Sequence, residues 1–117
     1  RAYRAGWLRQ GLRPLGPQDH AVVEEIGAAT YGGHDYVATV FPEWIRRQGR
    51  DTWTVAVEGD GQLVGFEVLS LYDQGRTGWL EALRVHPRHR GRGLAKMLQS
   101  SLVALACDLR VARVRYT

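Results

Sequence analysis

Arg88-His89-Arg90-Gly91-Arg92-Gly93-Leu94-Ala95 joins two regular elements. Ahead of it, Gly78 to Val85 reads as a strand that His86-Pro87 ends. After it, Leu94, Met97, Leu98, Leu102, Leu105 and Leu109 fall on one face of a long helix. A strand–turn–helix junction of this kind presents backbone N–H groups without intrahelical partners, and the helix adds roughly half a positive charge there. Gly91 and Gly93 have no Cβ, so a phosphate can come close to the main chain. Arg88, Arg90 and Arg92 add charge-assisted donors around the same point. A phosphate or pyrophosphate cradle is the expected result. Spacing excludes two other phosphate loops. A dinucleotide fingerprint needs Gly or Ala where Lys96 stands, and a Walker loop needs four residues between its glycines, then Lys-Ser or Lys-Thr.

Upstream, the period is two. Trp53, Val55 and Val57 alternate with Thr52, Thr54 and Ala56, the pattern of a half-buried strand. Glu58-Gly59-Asp60-Gly61 turns the chain into Leu63 to Tyr72, and Asp73-Gln74-Gly75 turns it into Gly78 to Val85, making a three-stranded meander. Val111 to Tyr116 reads as a further strand, parallel to Gly78–Val85 because a helix crosses between them. Towards the N-terminus, Leu8 to Leu15 is expected to be a short first strand. Gly16-Pro17 with Asp19 opens a helix whose apolar face is Val22, Val23 and Ile26, running through Ala29. Tyr31-Gly32-Gly33-His34-Asp35 is a loop, and a second short helix is expected over Pro42 to Gln48, ended by Gly49. The order β-α-α-β-β-β-α-β is an α/β arrangement, expected as one domain over residues 1–117.

With 44% hydrophobic and 24% charged residues, the chain has the composition of a folded domain, not of a disordered segment. Its longest apolar run, Leu102 to Cys107, is six residues and too short for a bilayer. Arg1 to Gln10 has no apolar core, so no signal peptide is expected there, and no membrane partner. Cys107 stands alone, which excludes internal disulfides and cysteine-based metal clusters and suits a reducing, cytoplasmic setting. It reads as packing within the long helix. His86 and His89 are three apart with no further ligands, so no metal is expected. Trp53, Trp79 and Met97 read as core. Charge is divided unevenly: residues 1–83 hold eight arginines against eleven acids, net −3, whereas residues 84–117 carry net +7. Such a field suits an anionic partner, either nucleic acid or a phosphorylated ligand. No nucleic acid is expected, because Trp44, Trp53 and Trp79 lie outside the basic third and no aromatics interleave its arginines; an Arg-rich nucleic-acid-binding module stays as the less favoured alternative. The oligomeric state is left open.

The pattern Arg-x-x-Gly-x-Gly, met by Arg88, Gly91 and Gly93 after Leu83-Arg84-Val85-His86-Pro87 and before an amphipathic helix, resembles the GNAT superfamily of acetyl-CoA-dependent N-acetyltransferases. The order of elements agrees from roughly Leu8 onward. Further stretches resemble the histidine N-acetyltransferase family and its relatives: Tyr31-Gly32-Gly33-His34-Asp35-Tyr36, Trp44, Leu63-Val64-Gly65-Phe66-Glu67 and Glu81-Ala82-Leu83-Arg84-Val85. The resemblance implies a GNAT-like mixed sheet that binds acetyl-CoA. The pyrophosphate would lie on the turn formed by Arg88, His89, Arg90, Gly91, Arg92 and Gly93, with Leu94 and Ala95 opening the helix behind it. The pantetheine arm would pair like an added strand along Leu83, Arg84 and Val85, where the neighbouring strands splay. A backbone N–H near Leu83 or Arg84 would polarise the thioester carbonyl. The acceptor implied is a small-molecule amine that attacks directly, the α-amine of a small amino acid with histidine favoured; a peptide or polyamine amine is the alternative. The superfamily continues with another helix and two strands, whereas this sequence stops at Thr117, so the C-terminal part of the fold is expected to be missing or supplied by a partner chain.

An α-amine has a pKa of about 8 and is mostly protonated at neutral pH, so a base must act. Glu81 is the candidate, beside the expected thioester and interrupting an apolar face of Trp79, Leu83 and Val85; the plainer reading pairs it with Arg84. Glu67 on the adjacent strand is its rival. For the acceptor, Tyr31, His34, Asp35 and Tyr36 offer polar and aromatic groups suited to a small zwitterion, with Asp35 available to a cationic amine or imidazole. The plainer reading is a glycine-containing surface turn.

Overall fold

The computed structural model describes residues 6–31, 33 and 35–116, and of Tyr31 only the backbone. Its elements are β1 (Leu12–Arg13), α1 (His20–Tyr31), α2 (Val37–Arg47), β2 (Thr52–Gly59), β3 (Gln62–Tyr72), β4 (Thr77–Val85), α3 (Leu94–Asp108) and β5 (Arg113–Tyr116). The strands form one mixed sheet in chain order, antiparallel from β1 to β4 and parallel between β4 and β5. The meander forms where turn chemistry demands it. Asp60 and Gly61 both take left-handed φ, at 55° and 78°, which matches the twist of the β2–β3 hairpin. The first strand is shorter than expected: Leu8–Gln10 forms a 3-10 turn, and only Leu12 and Arg13 pair, with Val57 and Ala56. No helix among the described residues is long and apolar enough to cross a membrane.

Two apolar layers sandwich the sheet. On one face Trp53, Val55, Val57, Leu69 and Leu80 pack against Leu98, Leu102, Leu105 and Ala106 of α3. On the other, Ala56, Phe66, Val68 and Ala82 pack against Val23 and Ile26 of α1 and Val37, Phe41 and Trp44 of α2. Strand β2 is therefore buried on both sides, not half-buried. Its polar residues survive there because Thr54 is bonded: its Oγ1 accepts from the Leu15 N–H at 2.8 Å and donates to Gln48, whose Nε2 donates to the Leu15 carbonyl at 2.8 Å. Along α3, Cys107 lies far round the helix from the Leu98–Leu102–Leu105 stripe, so it is exposed and not packed. Trp53 is core, while Trp79 and Met97 are half-buried.

Helix α2 begins at Val37, five residues before the expected start, and carries Pro42 inside it. The apolar stripe Val37–Phe41–Trp44 explains the earlier start, since it continues across the proline. Pro42 cannot supply the N–H that the Ala38 carbonyl would accept. His20 supplies it instead: Nε2 lies 2.9 Å from that carbonyl, and the ring stacks on Phe41 with centroids 4.9 Å apart. His20→Ala is accordingly expected to lower stability by about 1 kcal/mol. In a Pro42→Ala background, where residue 42 regains its donor, the same change should cost less. A double-mutant cycle in urea reads the difference.

Candidate active site

Strand β5 pairs with β4 from Thr77↔Arg113 to Leu80↔Tyr116. Beyond Leu80, β4 has no strand partner on that side among the described residues, and a gap opens. Two cavities meet in it. One, of about 400 Å³, lies along α3 between Leu83, Ala95, Lys96, Gln99 and Tyr116. The other, of about 340 Å³, takes in Tyr36 and Arg84 from the α1–α2 side together with Glu67 and Glu81. Leu83, Gln99 and Tyr116 line both. Gln99 and Tyr116 were not marked by the sequence, because a lone glutamine between leucines and the last tyrosine of a short strand form no local pattern.

At the α3 end of this gap lies the arginine–glycine turn. Gly91 and Gly93 take φ of 78° and 77°, and a Cβ at either would meet nothing within 4 Å. Among the described residues, the N–H groups of Gly93, Leu94, Ala95 and Lys96 at the start of α3 have no backbone carbonyl partner; Met97 is the first to turn inward, to the Gly93 oxygen at 3.0 Å. The turn thus has the open approach and orphan donors that a phosphate group needs. Two of the expected donors are committed elsewhere: the Arg88 N–H reaches His86 Nδ1 at 3.1 Å and the His89 N–H reaches the His86 carbonyl at 2.9 Å. The turn's start is a 3-10 helix, Pro87–His89, which consumes them. The Arg88 side chain lines a separate cavity with Arg13, Asp19, His86 and His89. Arg90 Nε bonds the Val85 carbonyl at 3.3 Å, and Arg92 lies 3.3 Å from His89 Nδ1. Among the described residues, no group of His, Cys, Asp and Glu is arranged to hold a metal.

A β-bulge shapes the middle of the site. Phe66 faces Arg84 and Val68 faces Glu81, so β4 carries one residue more than β3, and Ala82 takes φ of 62°. The expected alternation of Trp79, Glu81, Leu83 and Val85 is broken there. Leu83 and Val85 pack towards α3, whereas Glu81 bonds the Ser70 hydroxyl at 2.8 Å and lines a cavity against α2. Opposite the bulge, Glu67 is 1% exposed, and its Oε1 is buried with no hydrogen-bond partner. Burial pushes its carboxyl up to about 8. A carboxyl so placed on the wall of a cavity is suited to exchange a proton near neutral pH.

Of the loop residues expected at the acceptor side, His34 and the side chain of Tyr31 lie outside the described residues. Asp35 turns inward. Its carboxylate accepts from Arg84 Nε at 2.7 Å and Nη2 at 2.9 Å, and both side chains are over nine-tenths buried. Arg84, then the Tyr36 and Val37 amides, hold the Asp35 carboxyl below its ordinary range. The Tyr36 ring covers the guanidinium, 5.5 Å from its carbon, and faces the cavity. Partial burial raises the Tyr36 hydroxyl's pKa, with Arg84 opposing. Gly27 permits the close approach, since a Cβ there would come within 2.8 Å of the Asp35 carboxylate.

The sequence model of the acetyltransferase (GNAT) family matches residues 20–117. The chain is 38% identical over 80 residues to a histidine N-acetyltransferase of Xenopus tropicalis, covering 68% of this chain and 24% of that one. It is 34% identical over 92 residues to a histidine N-acetyltransferase of Scomber australasicus, covering 79% of this chain and 26% of that one. The match therefore spans about a quarter of the length of these relatives. A crystal structure of the paia N-acetyltransferase from Thermoplasma acidophilum in complex with coenzyme A superposes with a TM-score of 0.73 at 18% identity, covering 86% of this chain and 73% of that one. That likeness shows the fold, and the family match covers most of the sequence: the chain belongs to the GNAT family of acetyltransferases.

Proposed function

We propose that this chain builds the acyl-donor side, and one wall of the acceptor side, of an acetyl-CoA-dependent N-acetyltransferase whose acceptor is the α-amine of a small amino acid, histidine favoured. The observation that carries the reading is the open glycine turn at the start of α3, which lies beside two cavities that share Leu83 and Gln99 in their linings. Group transfer between two ligands needs their reacting ends held together, and adjoining cavities of this kind can hold them. The histidine preference is supported by the names of the relatives and by the acidic and aromatic groups on the α2 side.

Acetyl-CoA, when bound, supplies an activated acetyl thioester. The residues fitted to hold it are the first amides of α3, the two open glycines and the main-chain edge Leu83–Val85, whose Leu83 and Val85 carbonyls would have to be released by the Arg84 and Arg90 side chains. Glu67 is the proton acceptor in this reading. Its carboxylate takes one proton from the α-ammonium, leaving a neutral amine with its lone pair and an uncharged buried acid. The two groups are matched, since an α-amine also titrates at about 8, so the transfer costs little free energy.

Calorimetric titration with acetyl-CoA, together with an amine panel assayed for thiol release, tests this directly. Gly91→Val places a branched side chain where the cradle is open and where φ is left-handed. It should weaken acetyl-CoA by tenfold or more, about 1.4 kcal/mol, and the strained left-handed φ should also lower Tm, so affinity is read well below the variant's own transition. Unchanged affinity would remove the turn from the binding site.

A further inference from the structure

Glu81 lines two cavities. It belongs to the gap beside Glu67 and Tyr36, and also to a second cavity of about 200 Å³ between α2 and the far end of the β3–β4 pair. One helical stripe runs along both: Tyr36, Val40, Glu43 and Arg47 are spaced four, three and four residues apart, which puts them on one side of α2. Both cavities lie beside α2, and Glu81 borders each of them. The bulge at Ala82 brings Glu81 to this face, and Ser70 fixes its carboxylate at 2.8 Å. Trp44 and Tyr72 add aromatic walls further along. Arg47, the one cation among the described residues that line this cavity, is already engaged by Asp51 and Glu43.

We infer that this second cavity is the subsite for the acceptor's side chain, and that Glu81 selects a side chain carrying an N–H donor or a cation, of which an imidazole is the type. The inference rests on the acceptor reading above. An amine held beside Glu67 leaves the rest of the acceptor one direction open along α2, past Glu81. A carboxylate held by a hydroxyl keeps its remaining acceptor capacity for a ligand, and a ring or cation gains further from aromatic faces. An aliphatic side chain would instead desolvate Glu81 without replacing its hydrogen bonds, which disfavours it. Glu81 is then a specificity-determining residue, while proton transfer belongs to Glu67.

The test separates the subsite from the transferase reading by using imidazole itself as the probe. Imidazole titrated into the intact protein without acetyl-CoA should shift the NMR signals of the Trp44 indole N–H and the Ser70 amide, and Glu81→Gln should weaken that binding at least fivefold. Ser70→Ala, which loosens the Glu81 carboxylate, should weaken it by less. Circular dichroism and the Tm of each variant verify the fold. In turnover, Glu81→Gln should lower the preference for histidine over leucine, as the ratio of kcat/KM values, by tenfold or more. Equal imidazole affinity in wild type and Glu81→Gln, or shifts confined to residues away from α2, overturns the subsite even where acetyl transfer is found. Imidazole binding that Glu81→Gln weakens, with no thiol release from any amine, upholds the subsite and overturns the transferase reading.

Discussion

Glu67→Gln is expected to lower kcat for acetyl transfer by about 10²–10⁴-fold and, above pH 8, to make the protein harder to unfold. Both effects come from one carboxyl, 1% exposed, with its Oε1 unpartnered. Burial disfavours its charge and raises its pKa from the ordinary 4.5 to about 8. The sign of the stability effect follows. The unfolded chain ionises this group near 4.5, whereas the folded chain resists until about 8, so each step up in pH across that window favours unfolding. The penalty is absent below the lower value, grows between the two and is constant above the upper one. Glutamine never ionises, so the variant should match wild type at pH 4 and gain on it by up to about 1.4 kcal/mol for each pH unit between the two values, with the gain at its full size by pH 9. The wild-type kcat should rise with pH and level off above about 8, and the variant should lack that limb. A variant with unaltered kcat and unaltered pH profile would remove Glu67 as the base. A Tm gain that did not grow with pH would show that its carboxyl is not held neutral.

The sheet and the glycine turn were legible in the sequence because their signals are local. Asp60-Gly61, Asp73-Gln74-Gly75 and His86-Pro87 mark the chain reversals, and the Leu98–Leu102–Leu105 stripe marks α3. What escaped depends on contacts between distant segments. Thr52 and Thr54 read as a solvent face, yet both are buried, Thr54 against Leu15 and Gln48. Pro42 read as a helix start, whereas His20, far back in the chain, serves the carbonyl that the proline leaves unpaired. The bulge at Ala82 has no glycine to announce it; the strand tolerates a left-handed alanine because the sheet holds both sides of the irregularity. That bulge decides which way Glu81 faces, so which cavities Glu81 borders could not be read from alternation alone.

The Asp35–Arg84 pair carries the other large effect. Asp35→Ala is expected to cost about 3–5 kcal/mol, because it removes both carboxylate bonds from a guanidinium that is 8% exposed. That is a large share of the 5–15 kcal/mol typical of a whole domain. Removing both charges together, as in Asp35→Leu with Arg84→Met, should cost far less than the sum of the single changes, since the penalty lies in the buried charge left behind and not in the lost attraction. Asp35 has its pKa lowered, so its contribution is fully present above the ordinary value of 3.8 and is lost as pH falls towards the depressed one. Acid unfolding of wild type should therefore begin in that window, and the double variant should show a shallower acid limb. The pair also joins the two halves of the site. Arg84 Nη1 bonds the Leu83 carbonyl at 3.0 Å on the strand that borders the gap, while Asp35 anchors the start of α2 beside Tyr36. A double variant that regained its Tm but not its activity would therefore locate the defect in the alignment of α2 against β4, and one that regained both would reduce the pair to a structural tie.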